Sequence, residues 1–342
     1  VLLPQVLDRL GRARRQQGDY HRARICYSRI LEALEPGDSE GRMQATASLA
    51  ELCRIQGDLE RAEELYQICL KERERCHDPA GAAGILASLA SIYWQTGKGK
   101  RAKISLQSAS HLLADLGEHG RAAQMQCQLA DIYFQEGEFK KALELYHKSI
   151  SALRKADPSL ASMVLSHMSQ CCLEIGDLIP AEDHLQRAIA LMEKHGDSLS
   201  LSRALILLAR IHHRQGLEEE ALQCSRQSLK IRERSKDWSG AAEALSLMAR
   251  ICCQSRDWEE AIGHYQRAAE IFIGNGEDLS AAEALSNLGG VYHLKGDLDS
   301  ALDLHCQAIE ILSRLGDRQA SSVVWSNIGL VHQSRGDLRL AG

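Results

Sequence analysis

The sequence is poor in proline and in aromatic side chains. Its 342 residues include only 5 prolines, and Phe, Trp and Tyr together make up 4%. Aromatic and β-branched residues favour strands, whereas the apolar residues of this chain are mainly alanine and leucine, which favour helices. The composition therefore argues against a sheet-rich fold and predicts an all-α protein.

Long apolar runs and a surplus of positive charge are also missing. No stretch approaches the roughly 20 apolar residues that cross a bilayer, and the formal net charge is -5. We therefore predict no membrane span and no nucleic-acid partner. The first residues lack the layout of a signal peptide. Because the chain starts at Val1 and stops just after a fresh copy of a repeated phrase, we expect it to be a segment of a longer protein.

Motifs that carry chemistry are absent from the sequence. It contains no phosphate-binding P-loop, no GxSxG nucleophile elbow, no HExxH zinc motif and no GxGxxG dinucleotide fingerprint. His212 and His213 are adjacent on a predicted helix, so their rings point about 100° apart and do not readily share a metal. We predict that the chain is not an enzyme and holds no cofactor.

The cysteines show no pattern of paired ligands. Eleven are present, but none forms a CxxC pair, and the doublets Cys171–Cys172 and Cys252–Cys253 lack zinc-ligand spacing. So many cysteines without a short disulfide framework indicate a reducing compartment. We expect a cytoplasmic protein with free cysteines that fill core space and no metal site.

One short sequence motif recurs along the whole chain. A glycine, in most copies followed by a polar residue, recurs roughly every 40 residues, with arginine in its place once. These positions, called anchors below, are Gly18, Gly57, Gly97, Gly137, Gly176, Gly216, Arg256, Gly296 and Gly336. Alanine follows five residues after every anchor, at Ala23, Ala62, Ala102, Ala142, Ala181, Ala221, Ala261, Ala301 and Ala341. Such regularity indicates a repeat protein.

Each repeat is predicted to be a pair of helices. Upstream of the anchor, apolar and small residues recur at helical spacing. The anchor glycine then ends the first helix in a left-handed conformation, and the following Asp can cap the second. The alanine of the second helix is expected to meet a small residue seven before the anchor. Because one pair cannot bury its own apolar faces, stacked pairs must form a continuous solenoid.

These positions resemble the tetratricopeptide repeat, whose pattern is W-x2-L-G-x2-Y followed by A-x3-F. Leu285, Leu288, Gly289 and Tyr292 match the first half, and Ala142 with Tyr146 matches the second. The repeats here are longer than the usual ~34 residues, as in LGN/Pins-type scaffolds and kinesin light chains. The resemblance implies a right-handed α-α superhelix of eight full repeats and a partial ninth.

We expect one such array over residues 1–342. The approximate repeats are 4–38, 39–78, 79–117, 118–157, 158–197, 198–237, 238–277, 278–317 and 318–342. Tetratricopeptide arrays are, as a family, non-catalytic scaffolds whose first helices line a concave groove that holds a partner segment. The resemblance therefore implies a protein or peptide partner. Self-association through the exposed ends of the array is an additional candidate interaction.

In this family the groove-facing positions of the first helix lie about thirteen, ten, six, three and two residues before the anchor, and these offsets select the candidate binding residues. In the sixth and seventh repeats they give Arg203, Arg210, Arg214, Arg250 and His213. Adjacent arginines favour an acidic ligand; the alternative is that they are solvated charges, paired with Glu243 of the next repeat. In the third and fourth repeats the offsets give Trp94, Phe134 and Asp131, and the two aromatic side chains would take an apolar anchor.

Two asparagines occupy a further groove position. Asn287 and Asn327 lie nine residues before their anchors, as in LGN-like and kinesin-type repeats. They either bond the backbone of a bound peptide or bond between neighbouring repeats. The lysine and asparagine of a chaperone-type carboxylate clamp are missing, which argues against a C-terminal chaperone tail as ligand.

We thus predict a scaffold or adaptor that binds a partner in its groove. The first alternative is a regulatory sensor array attached to an enzyme or transcription regulator, where the groove binds an effector or the attached catalytic domain. The second, an enzyme in its own right, is disfavoured by the missing motifs.

Overall fold

The computed structural model describes residues 2–34 and 38–336. The described residues form seventeen α-helices and no strand, which confirms the all-α repeat class. The helices are α1 (Leu2–Gln16), α2 (Tyr20–Ala33), α3 (Ser39–Ile55), α4 (Leu59–Arg75), α5 (Pro79–Gln95), α6 (Gly99–Asp115), α7 (His119–Gln135), α8 (Phe139–Ala156), α9 (Pro158–Ile175), α10 (Leu178–His195), α11 (Ser198–Gln215), α12 (Glu218–Arg234), α13 (Trp238–Gln254), α14 (Trp258–Asn275), α15 (Asp278–Lys295), α16 (Leu298–Leu315) and α17 (Arg318–Arg335).

The chain divides into two compact units, Val1–Val164 and Leu165–Gly342. Each unit by itself is a succession of helix pairs, in which a helix packs on its partner within the repeat and on the first helix of the next repeat. No helix in the described ranges is both long and apolar enough to cross a membrane.

The anchors adopt the left-handed conformation that the sequence predicts. All eight anchor glycines have positive φ, from 73° at Gly97 to 95° at Gly176. At the ninth anchor a non-glycine, Arg256, takes φ 61. Because a side chain disfavours the left-handed region, the repeat requires this turn even where the anchor is not a glycine.

Capping at the anchors is only partly as predicted. The side chains of Asp19, Asp58 and Asp297 accept hydrogen bonds from backbone N–H groups of the following helix, whereas those of Asp177 and Asp257 make no such bond. The turns between repeats have caps of their own. There Asp38, Asp78, Asp157, Asp197, Asp237 and Asp317 accept a backbone N–H three residues on.

The burial predicted for the repeat alanines is confirmed, and one helix crossing shows their contact in detail. The eight described alanines five residues after the anchors are all 0% exposed, while Ala341 lies outside the described residues. At Gly289, a methyl group in place of the hydrogen would lie 3.1 Å from the carbonyl oxygen of Ala301. Because the backbones approach this closely, only small side chains fit at the crossing of the two helices.

Most of the cysteines are buried among core residues, as expected. All eleven are free, and Cys53, Cys69, Cys172 and Cys252 are at most 2% exposed. Cys53 and Cys69 belong to the core of the first unit, where they pack with Leu65 and Tyr66. Cys76 and Cys306, by contrast, are exposed.

Candidate partner-binding groove

A cleft of about 300 Å³ opens in the second unit, between the first helices of the last three repeats. Its walls come from α13, α15 and α17. The residues that line it are Arg250, Cys253, Tyr265, Ser286, Asn287, Gly290, Val291, His293, Leu294, His305, Asn327 and Leu330. Most lie nine, six, three or two residues before an anchor, so the cleft is built mainly from the offsets that the sequence singled out.

The floor of the cleft comes from the second helices. Tyr265 of α14 and His305 of α16 each lie nine residues after an anchor and are buried. Burial raises the pKa of Tyr265 to about 12. Burial, aided by the nearby His293, lowers the pKa of His305. Both groups are therefore uncharged at neutral pH, and the floor offers polar but neutral contacts. This position is not among the groove residues predicted from the sequence, although a tyrosine or histidine recurs there at Tyr27, Tyr66, Tyr146, Tyr265 and His305.

The two asparagines differ in their environment. Asn327 donates from Nδ2 to the Ser286 hydroxyl at 3.4 Å, and Ser286 lies 3.4 Å from His305 Nδ1. Asn327 thus bonds between neighbouring repeats. Asn287 is exposed on the wall of the cleft. Of the two roles left open for these residues, the structure shows the inter-repeat bond at Asn327 and leaves the Asn287 amide facing the cleft.

The predicted arginines lie on two helices of the second unit. Arg250 on α13 lines the cleft, and Arg203 and Arg210 on α11 are exposed without an ion pair to any described residue. Arg214 differs, because its guanidinium donates to the carbonyl of Leu173 at 3.1 Å.

Glu243, considered above as a partner for these arginines, instead pairs with Arg232 at 3.6 Å. None of the described residues that line the cleft is acidic. The charge of Arg250 is therefore not offset by an acidic side chain among the described residues that line the cleft.

His213 lies on α11 between Arg210 and Arg214 and is close enough to Arg250 of α13 to feel its charge. The side chain is half-buried, and its Nδ1 has no protein partner among the described residues. Burial, followed by the charge of Arg250, lowers the pKa of His213, while Glu218 acts in the opposite direction. The imidazole is thus neutral at pH 7 and able to accept or donate a hydrogen bond.

In the first unit the predicted groove residues are largely engaged by neighbours. The hydroxyl of Tyr146 donates to the Asp131 carboxylate. Phe134 makes an edge-to-face contact with Phe139, with ring centroids 5.5 Å apart, and Trp94 packs partly against the core. Both aromatic side chains remain half-buried. Asp131 is therefore held by the fold, whereas Trp94 and Phe134 keep some exposed surface.

The comparison with protein families agrees with this architecture. A sequence model of the tetratricopeptide repeat matches residues 2–75, 240–314 and 280–341, just over half of the chain, and the MalT-like tetratricopeptide region matches residues 83–245. No curated protein matches the sequence significantly.

Several solved structures share the fold. BtubC (BKLC) from P. vanneervenii is 23% identical, with 65% of this chain and 91% of that chain covered and a TM-score of 0.56. The STAND protein PH0952 from Pyrococcus horikoshii, which has a tetratricopeptide repeat sensor, is 17% identical, with 94% and 50% covered and a TM-score of 0.65. The present chain thus spans half of that protein.

The apo form of RapI is 17% identical, with 80% of this chain and 99% of that chain covered and a TM-score of 0.61. At these identities the likeness concerns the fold alone. Together with the matched family model, the helix pairs and the alanine contacts show that this chain belongs to the tetratricopeptide repeat family.

Proposed function

We propose that the chain is a protein-interaction scaffold that binds an acidic partner peptide in the cleft of the second unit. The observation that carries this proposal is the composition of the cleft. Arg250 lies on its wall, no described lining residue is acidic, and exposed Arg210 lies on the adjacent α11. Since arginine pairs well with carboxylates, an extended segment with Asp or Glu side chains complements this face.

The remaining cleft residues suit a peptide backbone and an apolar side chain. The exposed Asn287 amide offers both a donor and an acceptor, and Leu294 and Leu330 are 65% and 52% exposed. Aromatic surface of the first unit, at Trp94 and Phe134, offers a separate site for an apolar anchor. Charged residues contribute mainly to encounter and specificity, whereas apolar anchors supply more of the binding energy.

Solved structures of the same fold are compatible with a binding role. One is a Rap protein complexed with Competence and Sporulation Factor, with 98% of this chain and 99% of that chain covered at 12% identity and a TM-score of 0.52. The free cysteines and the absence of chemical motifs support a cytoplasmic scaffold that acts by binding rather than catalysis.

Binding to a labelled library of extended peptides tests the proposal. Peptides with an apolar residue beside Asp or Glu should bind, and the same peptides with Lys in place of the acids should not. The affinity of a bound peptide is then measured by calorimetry at two salt concentrations. The double change Arg210→Glu with Arg250→Glu should weaken binding by about 1–3 kcal/mol, the scale of hydrogen bonds to charged groups, and reduce its salt dependence.

The matched control places the same charge change on α12. Lys230 and Arg234 are exposed and do not line the cleft, so Lys230→Glu with Arg234→Glu should affect affinity much less. If the arginine double variant binds as tightly as the parent at low salt, the arginines are merely solvated and the acidic-peptide proposal is wrong.

The sensor function remains a second candidate, supported by the likeness to the STAND protein with a tetratricopeptide repeat sensor. In that case the same cleft would bind an effector or a catalytic domain attached to this segment. Measuring the activity of the full-length protein distinguishes the two functions, because cleft variants would then change a catalytic rate. In a pure scaffold they would change only partner affinity.

A further inference from the structure

Three side chains with metal-ligating atoms converge in the seventh repeat. The Cys252 sulfur, a Glu260 carboxylate oxygen and a His264 ring nitrogen all lie within 4.8 Å of one another. The thiol of Cys252 donates to Glu260 Oε2 at 3.7 Å. Zinc lies about 2.3 Å from sulfur and about 2.0–2.2 Å from nitrogen or oxygen, so tetrahedral ligand atoms are roughly 3.3–3.6 Å apart. The three atoms must therefore approach one another by up to about 1.5 Å to reach that geometry.

The repeat itself brings these residues together. Glu260 and His264 are four residues apart on α14, so they share one helix face. Cys252 lies on α13, four residues before the anchor Arg256, and is 1% exposed. The turn at Arg256 folds α14 back on α13, which places the thiol opposite the pair. Cys252 is therefore fixed, whereas exposed Glu260 and half-buried His264 can rotate towards a bound ion.

The other groups near the cluster leave its ligand atoms available. Apart from the bond between Cys252 and Glu260, neither Glu260 nor His264 has a hydrogen-bond or ion-pair partner among the described residues. Burial lowers the pKa of His264; Glu260 opposes this effect, and Arg226 and Arg267 add to it. The imidazole is thus neutral at pH 7, the form that binds metals.

Positive charge around the cluster is moderate. Arg267 is held by Glu233 at 2.6 Å, so one of the two neighbouring arginines is already paired. A thiolate, a carboxylate and a neutral imidazole together carry two negative charges, which match one divalent cation. Burial, with Glu260 next, raises the pKa of Cys252 to about 11, so metal binding must displace the thiol proton.

We propose that Cys252, Glu260 and His264 form a binding site for one Zn²⁺. The thiol proton leaves for solvent, the three protein atoms ligate the ion, and a water molecule completes a tetrahedral shell. Sulfur, nitrogen and oxygen ligands in one set favour zinc over Mg²⁺ or Ca²⁺, which take oxygen ligands. The ion would link α13 to α14 across the anchor turn, with the exposed Glu260 side open to solvent.

The sixth repeat provides an internal comparison. It has the same three residue types at the same distances along the chain from its anchor, but with histidine and cysteine exchanged. These residues are His212, Glu220 and Cys224. There His212 Nε2 lies 3.4 Å from Glu182 of the preceding repeat, and the Cys224 sulfur is 4.0 Å from Nδ1. Its imidazole is thus already engaged by a carboxylate outside the set. The second repeat keeps only the cysteine, Cys53, with Arg61 and Leu65 at the other two offsets.

Cobalt substitution tests this site in the full chain. Co²⁺ added to metal-free protein should produce the thiolate-to-cobalt charge-transfer absorption of a tetrahedral site, saturate at one equivalent and be displaced by Zn²⁺. Cys252→Ser should abolish the absorption. His264→Gln and Glu260→Gln should weaken affinity by more than the roughly 10- to 100-fold that loss of an outer-shell partner costs.

Matched variants distinguish this site from other thiols. Cys53→Ser removes a cysteine at the same repeat position, and His212→Gln removes the histidine of the sixth repeat; both should bind Co²⁺ like the parent. Because Cys252 is buried, helicity of Cys252→Ser is checked by circular dichroism. If that variant does not fold, Glu260→Gln and His264→Gln test whether these side chains ligate the ion. A parent without the absorption, or full affinity in either of these variants, overturns the proposal.

Discussion

Gly240, in the first turn of α13, should be intolerant of even one methyl group. A Cβ atom at this position would overlap the guanidinium of Arg232 and lie 2.6 Å from its Cδ. Arg232 is 5% exposed and pairs with Asp237 at 3.0 Å. The change Gly240→Ala must therefore push a buried cation away from its carboxylate.

The magnitude follows from two opposing effects. Breaking a buried ion pair costs about 3–5 kcal/mol, whereas alanine in place of glycine gains about 0.5–1 kcal/mol in a helix. We expect Gly240→Ala to lower the free energy of unfolding by about 2–4 kcal/mol. Gly263 on α14 is the control, because nothing lies within 4 Å of its Cβ position. Gly263→Ala should be neutral or stabilising.

Urea denaturation measures both variants, and a double-mutant cycle assigns the cause. In an Arg232→Met background the methyl group no longer meets a buried cation, so Gly240→Ala should cost less than about 0.5 kcal/mol there. Hydrogen exchange at α12 and α13 localises the effect, since repeat arrays lose structure over neighbouring repeats. Equal denaturation midpoints for Gly240→Ala and Gly263→Ala would refute the reasoning.

Three further predictions concern packing, the groove and pH. Ala142→Leu and Ala221→Leu should each destabilise by about 1–3 kcal/mol through overpacking at a fully buried helix contact; unchanged denaturation midpoints would contradict this. Trp94→Ala should weaken partner binding measured by calorimetry without altering its salt dependence, and a changed salt slope would show that its role is electrostatic. Because the pKa of His305 is lowered in the folded state, the unfolded chain takes up a proton that the folded chain lacks as the pH falls below about 6.5. Stability should therefore fall on acidification, and His305→Gln should reduce that slope in denaturation at several pH values.

The repeat architecture could be predicted from the sequence because it depends on short-range rules. Alanine at every helix crossing and glycine at most anchor turns are local requirements, and Arg256 could be placed as an anchor from spacing alone. The structure confirms the left-handed backbone there. Groove offsets were likewise predictable, since a helix places residues on a face by their spacing.

Side-chain partners could not be predicted in the same way. The sequence places Asp131 in the groove, but the Tyr146 hydroxyl that holds it comes from another helix. Cys252 has no cysteine or histidine at zinc-motif spacing, yet Glu260 and His264 reach it across the turn. These contacts depend on rotamers and on the distance between helices, which repeat periodicity does not specify.

The residues nine after each anchor vary in chemistry, although the packing of the helix pair stays the same. In the described repeats they are buried and chemically varied: Tyr27, Tyr66, Leu106, Tyr146, Leu185, Ser225, Tyr265 and His305. The invariant alanine that holds the helix pair together lies four residues away on the same helix. Evolution can therefore exchange a hydroxyl, a ring or an alkyl group beneath one stretch of groove while the neighbouring repeats keep their structure. The surface offered to a partner can therefore change in one repeat at a time, while the length and spacing of the repeats stay fixed.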